Sequence, residues 1–235
     1  RLHCVIPPIA SDGTCVSVRL PRHNGLNFEQ LVQMGTLDRD SATRIRQLID
    51  QRRSFLVTGG TGSGKTTVLG ALLGLVANGE RIVIIEDTAE LEPIHPHVVR
   101  LQSRPANVEG AGQVTLRDLL RQSLRMRPDR IVVGEVRGPE IVDLLTALNT
   151  GHEGGAGTLH ANAPHDVPAR VEALALMAGV PRAAVHALLA SAVDCVVHLE
   201  RLPGGQRVVS GVHSLDLRDG LVRPSCQYQR NQGAS

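Results

Sequence analysis

Residues Gly59–Thr66 read GGTGSGKT, and this stretch constrains the possible fold more tightly than any other part of the chain. Its four glycines permit tight backbone turns that side chains forbid. Before it, Ser54 to Thr58 (SFLVT) is a short apolar run of strand character; after it, Lys65 to Ala77 is an apolar stretch of helical length closed by Asn78-Gly79. A buried strand that turns through glycines straight into a helix satisfies G-x-x-x-x-G-K-[ST] in every position and in context. Such a loop aims successive backbone N–H groups at one point, and the helix N-terminus adds its dipole. The result is an anion site of phosphate size.

Lys65 is the only lysine, against 24 arginines. Arginine is a broad planar fork, whereas lysine is a compact charge on a flexible stem, so a loop wrapped around phosphate has room for lysine alone. The candidate nucleotide ligands are Gly59, Gly60, Thr61, Gly62, Ser63, Gly64, Lys65, Thr66 and Thr67, with Lys65 reaching the β- and γ-phosphates of ATP. The Thr66 hydroxyl is the candidate protein ligand for Mg²⁺.

The same alternation continues downstream. Strands are expected at Arg81 to Glu86, Val98 to Leu101, Arg130 to Val133 and Gly155 to His160, with helices at Thr115 to Arg127, Pro139 to Leu148, 167–178 and 182–192. Strands alternating with helices predict an α/β fold with a mostly parallel sheet covered on both faces. Residues 195–201 and 206–213 predict a terminal hairpin. Four segments follow: residues 1–20, two strands ending a domain cut away upstream; 21–36, a linker; 37–222, the main domain; and 223–235, a flexible tail. A start at Arg1 without methionine fits an excised fragment.

Composition narrows the function. A formal net charge of +2 and only three aromatic residues argue against a nucleic-acid stacking platform, so no specific nucleic-acid partner is expected. The four cysteines form no CxxC pair, and scattered reduced thiols of a cytoplasmic protein are favoured over a Cys4–Cys15 disulfide. No apolar run approaches the ~18 residues of a membrane span.

Three further stretches carry chemistry. In DRIVVGE (129–135), Gly134 stands where a carboxylate usually follows the apolar run, and the acid is Glu135, placed to polarise an attacking water. Arg137 has two readings, a phosphate contact or a loop brace. In IIEDTAEL (84–91), Glu86, Asp87 and Glu90 follow a strand, at the sheet edge where α/β folds bind ligands. Their expected work is holding Mg²⁺ through water and positioning the nucleophile. In TGHEGGAGTLHAN (150–162), His152 and His160 lack a third ligand at zinc-like spacing and suit a γ-phosphate sensor better. His95 and His97 are read as loop residues without a metal role. Arg117, Arg121 and Arg125 form one helix stripe, either a solvated face or a subunit interface.

With these four motifs in this order, the chain resembles the secretion ATPases of type II and type IV systems. These share a phosphate loop, an aspartate box, a variant second strand and a histidine box. The wording LRMRPDRIVVGEVRG and NTGHEGGAGTLHAN is most similar to the branch serving tight-adherence (Flp-type) pili. The similarity runs from Arg1 to about Leu215. It implies a RecA-like P-loop NTPase domain preceded by the remnant of an N-terminal domain, assembled as a homohexameric ring. It implies ATP hydrolysis that powers pilus assembly or protein secretion through an inner-membrane platform protein. The chain would then sit at the cytoplasmic face of that membrane, held there only through partners. On the family's pattern Glu135 is the catalytic glutamate and Glu90 its aspartate-box partner. His152 and His160 are the histidine-box pair, and Arg1 and Arg19 match arginines that reach the nucleotide from the N-terminal domain. A conjugation or effector-secretion ATPase differs only in cargo; a RecA-like nucleic-acid motor is the weaker alternative.

Overall fold

The strand, loop and helix expected around Gly59 lie at the middle of an eight-stranded sheet. The computed structural model describes residues 2–18 and 25–231; Arg1 and Arg19 therefore lie outside the described residues. The first two strands, β1 (Leu2–Val5) and β2 (Cys15–Val18), pair antiparallel in a ladder of their own.

In the main body, α1 (Phe28–Gln33) and α2 (Arg39–Asp50) precede β3 (Phe55–Gly59) and α3 (Lys65–Leu73). Then come β4 (Ile82–Glu86), β5 (Val98–Gln102), α4 (Leu116–Ser123), β6 (Arg130–Val136), α5 (Glu140–Asn149) and β7 (Ala156–His160). The chain closes with α6 (Val167–Leu176), α7 (Arg182–Ala192), β8 (Cys195–Arg201), β9 (Arg207–Arg218) and β10 (Leu221–Gln229). The strand order is β10-β9-β8-β3-β7-β6-β4-β5. Strands β8 to β5 in that order run parallel, and β9 and β10 add an antiparallel edge.

Successive strand residues point to opposite faces, and the core divides accordingly. Leu56, Val83, Ile85, Ile131 and Val133 pack under α4 to α7. Phe55, Val57, Ile82, Ile84 and Val132 pack under α1 to α3. Every residue of β3 is buried, with β7 on one side and β8 on the other.

Two expectations change. Part of the stretch expected as a linker is helix α1, which buries Phe28 and Leu31. Asn27 and Gln30 cap its start reciprocally, a sequence signal that the neighbouring Pro, Asn and Gly residues masked. Most of the expected tail is strand β10, paired with β9 along its length. β10 is an edge strand, the place in a sheet where a proline such as Pro224 is tolerated. Beyond the pairing, the Tyr228 hydroxyl donates to Asp38 at the start of α2, so β10 ties back to the body.

Candidate active site

The phosphate loop leaves the carboxyl end of β3 and enters α3 at Gly64, whose φ of 95° no L side chain adopts easily. At Gly59 the constraint is space, since a Cβ there would lie 2.5 Å from the Leu199 carbonyl oxygen of β8. No side chain caps the N-terminus of α3, so its first N–H groups remain free to bind a ligand. The Ser63 hydroxyl is buried without a hydrogen-bond partner. An orphaned hydroxyl within the phosphate loop fits a phosphate oxygen. The Lys65 ammonium donates to the carbonyls of Gly59 at 3.0 Å and Gly60 at 2.9 Å. Burial pushes its pKa below the ordinary lysine value, opposed by the charge of Glu135 and reinforced by Arg137.

Glu135 lies at the end of β6, half-buried, where the β6–β7 register slips between Val133 and Val136. The slip leaves the Gly134 carbonyl outside the ladder, and the Thr158 hydroxyl of β7 donates to it at 2.6 Å. An irregularity of this kind re-aims side chains next to a site. Arg137 Nη2 donates to Glu135 Oε2 at 2.5 Å. That bond, ahead of the fields of Glu135, Asp87 and Glu90, holds the guanidinium pKa above its usual value. The Arg137 loop is itself fixed, because the amides of Arg137 and Gly138 both donate to buried Glu140 at 2.7 Å. Lys65, Glu135, Arg137, Asp87 and Glu90 thus meet at the carboxyl ends of β3, β4 and β6.

Glu86 has a different place from its acidic neighbours. It is 4% exposed, and its Oε1 accepts from the amides of Glu90 (3.1 Å) and Leu91 (3.0 Å). Burial raises its carboxyl pKa against those two hydrogen bonds. Its position is that of a brace for the turn carrying Glu90, turned away from water. Asp87 accepts from the Ser103 hydroxyl at 2.7 Å, which closes the turn against the segment after β5.

The two histidines are not brought together. His160 ends β7 in register with Gly59, beside the phosphate loop. His152 precedes β7, and its ring contacts the Ala147 carbonyl at the end of α5, at 3.3 Å. The whole of β7 separates them, so His152 lies at the opposite edge of the sheet. His95 and His97 are loop residues bonded to Ala77 and Arg81. In the arginine stripe, Asp143 of α5 pairs with Arg117 and Arg121. Among the described residues no three His, Cys, Asp or Glu side chains cluster as a metal site. Magnesium generally takes one or two protein ligands together with phosphates and waters, which Thr66 at the start of α3 suits.

Sequence reasoning missed two buried groups, one beside this machinery and one far from it. His198 of β8, 1% exposed, shares a 2.8 Å hydrogen bond with the Thr58 hydroxyl, one residue before the loop. Arg130, also 1% exposed, binds Glu80 and the carbonyls of Ile49 and Gly154 at the opposite sheet edge. It missed Arg207 as well, described below. Their partners lie 24 to 145 residues away in the chain, beyond the reach of any local pattern.

A family model described as type II/IV secretion system protein matches residues 2–233. A putative conjugal transfer protein of Mycobacterium tuberculosis is 52% identical over 235 residues, covering 100% of this chain and 67% of that protein. The type IV secretion system protein PtlH of Bordetella pertussis is 34% identical over 252 residues, covering 95% of this chain and 74% of that protein. Among solved structures, the VirB11 ATPase of the Brucella suis type IV secretion system aligns with a TM-score of 0.64 at 28% identity, covering 91% of this chain and 70% of that one. The pilus retraction motor PilT, solved with bound ADP, aligns with a TM-score of 0.65 at 25% identity, covering 94% and 58%. The chain thus spans about two thirds of the mycobacterial relative and a smaller share of PilT. The chain belongs to the type II/IV secretion system protein family.

Proposed function

We propose that this chain binds and hydrolyses ATP to power a secretion or pilus-assembly machine, of which the tight-adherence (Flp-type) pilus is the preferred instance. The observation that carries the reading is the convergence of Lys65, Glu135 and Arg137 on one open loop of amides. Lys65 would exchange its two loop carbonyls for the β- and γ-phosphates. Glu135 would accept a proton from the attacking water, with Arg137 holding the carboxylate in place. Glu90, on the turn braced by Glu86, would orient that water, and His160 would sense the γ-phosphate. Thr66 would hold Mg²⁺, which supplies charge neutralisation on the phosphates when bound.

In the same proposal the working form is a homohexamer docked on an inner-membrane platform protein at its cytoplasmic face. Residues 2–18 would belong to an N-terminal domain whose Arg1 and Arg19 reach the nucleotide. Among the described residues no helix is long and apolar enough to cross a membrane, so attachment would run through partners. Conjugal transfer is the second reading, favoured by the description of the mycobacterial relative.

Lys65→Ala tests the nucleotide reading. The variant should stay folded and lose Mg-ATP binding by calorimetry; unchanged affinity would remove the phosphate-loop assignment. The ring is tested by specific activity, which should rise with protein concentration in the wild type and drop in Arg19→Ala. Deleting the gene and scoring piliation against plasmid transfer separates the two cargo readings.

A further inference from the structure

Arg207 opens β9, immediately after the 202–206 turn, and was not singled out by any motif. Strand β8 runs beside β3 with Leu199 opposite Gly59, so the β8–β9 turn projects past the sheet edge alongside the phosphate loop. From there Arg207 Nε donates to the Gly62 carbonyl at 2.8 Å. Its stem lies against the loop, since a Cβ built on Gly64 would come 3.0 Å from Arg207 Cδ.

A loop that turns its amides toward an anion must turn carbonyls elsewhere, and uncompensated carbonyl dipoles nearby repel the same anion. Here three of the loop's carbonyls have a cationic donor. Gly59 and Gly60 are taken by Lys65, and Gly62 by Arg207. The Gly62–Ser63 peptide is held at both ends, its N–H donating to the Gly60 carbonyl at 3.3 Å. The mount of Arg207 is firm as well: Val209 N donates to the Thr36 carbonyl at 2.9 Å, and Gln206 Nε2 to that of Met34 at 3.4 Å. When nucleotide draws Lys65 away from its two carbonyls, Arg207 keeps the remaining clamp on the loop.

We propose that Arg207 is a positioning residue of the nucleotide site, preforming the phosphate loop through the Gly62 carbonyl. The inference rests on the nucleotide reading above. It acts through the loop, so it governs affinity for the phosphate chain and leaves the chemical step alone.

The test uses the full chain, titrated calorimetrically with Mg-ADP and with pyrophosphate, and assayed for ATP turnover. Arg207→Ala should weaken both ligands about tenfold or more, the scale of a lost charge-assisted hydrogen bond. KM should rise while kcat at saturating ATP stays within about twofold. Arg207→Lys, which keeps a cationic donor, should recover most of the loss, and the unfolding temperature should be unchanged in both. Arg207→Met keeps the stem over Gly64 without the donor and should bind as weakly as Arg207→Ala. Normal binding by Arg207→Met, loss of ADP affinity without loss of pyrophosphate affinity, or a fall in kcat at constant KM would each overturn the proposal. Failure of the wild type to bind either ligand would instead bring down the nucleotide reading on which it rests.

Discussion

Glu86 fills the space that a side chain at position 134 would need. A Cβ built on Gly134 lies 2.5 Å from Glu86 Cγ and 2.8 Å from Oε1. The carboxylate absent from the end of β6 therefore has a counterpart on the adjacent strand β4, where it braces the Glu90 turn from inside. Gly134 and Glu86 form a matched pair, and neither residue type is interpretable alone.

This pairing sets the cost of Gly134→Ala. The new methyl must displace a buried side chain, and overpacking of that kind costs about 1–3 kcal/mol. Urea unfolding should show that loss in the wild-type background and a smaller one beside Glu86→Ala. Additive losses would mean that the two residues do not share the space.

Glu135→Gln should bind ATP and hydrolyse it about 10²-fold more slowly, since the amide keeps the shape and loses the basicity. Single-turnover assays with bound ATP read the step directly. Wild-type turnover would move the role to Glu90, an acid at the same end of the sheet whose charge also reaches Arg137.

Acid should destabilise the fold through His198. Burial is the main cause of its lowered pKa, and the fields of Glu200 and Asp166 and the Asn162 backbone oppose it without cancelling it. Between the depressed folded value and 6.5 the unfolded chain binds the extra proton, so stability falls as pH drops through that window. His213, also lowered by burial, adds the same sign. Glu86 acts oppositely: its raised pKa makes the native state bind more proton above 4.5, so it gains stability as pH falls. Denaturant midpoints at three pH values should show a flatter acid limb for His198→Asn and a steeper one for Glu86→Gln. The full contribution of one histidine cannot exceed about 1.4 kcal/mol per pH unit.

Arg130→Ala should be the most damaging of these changes to stability and the least relevant to nucleotide. It removes four hydrogen bonds, to Glu80, Ile49 and Gly154, and leaves Glu80 only a 3.4 Å pairing with Arg52. Breaking a buried ion pair from one side costs about 3–5 kcal/mol. Thermal unfolding should register that loss, while ADP affinity of the folded fraction stays put, because the bracket lies at the sheet edge away from the loop.

The parts legible in the sequence are those whose chemistry is local. The loop from Gly59 to Thr66, the apolar strands beside it and Glu135 announce themselves within a dozen residues. Helix α1 was hidden because its capping pair sits among loop-forming residues, and β10 because Pro224 is tolerated only on an edge that a sequence does not mark. His152 and His160 look like a pair at eight residues' spacing, yet a strand extends between them and carries them apart. Glu86 reads as one of three acids after a strand, and its burial, its bonds from the Glu90 and Leu91 amides and its contact with Gly134 distinguish it. Arg130, His198 and Arg207 needed the fold itself, since each acts on a residue brought close by sheet order.

The strand that bears the phosphate loop is laddered along both of its edges, to β7 and to β8. A pull along β3 loads the ladders to β7 and β8 together in shear, so many bonds must fail at once. A pull on β10, paired on one edge alone, opens its ladder bond by bond like a zip. Tension transmitted through the nucleotide loop therefore enters on a strand held along both edges, whereas β10, farthest from the loop on its side of the sheet, is held along one.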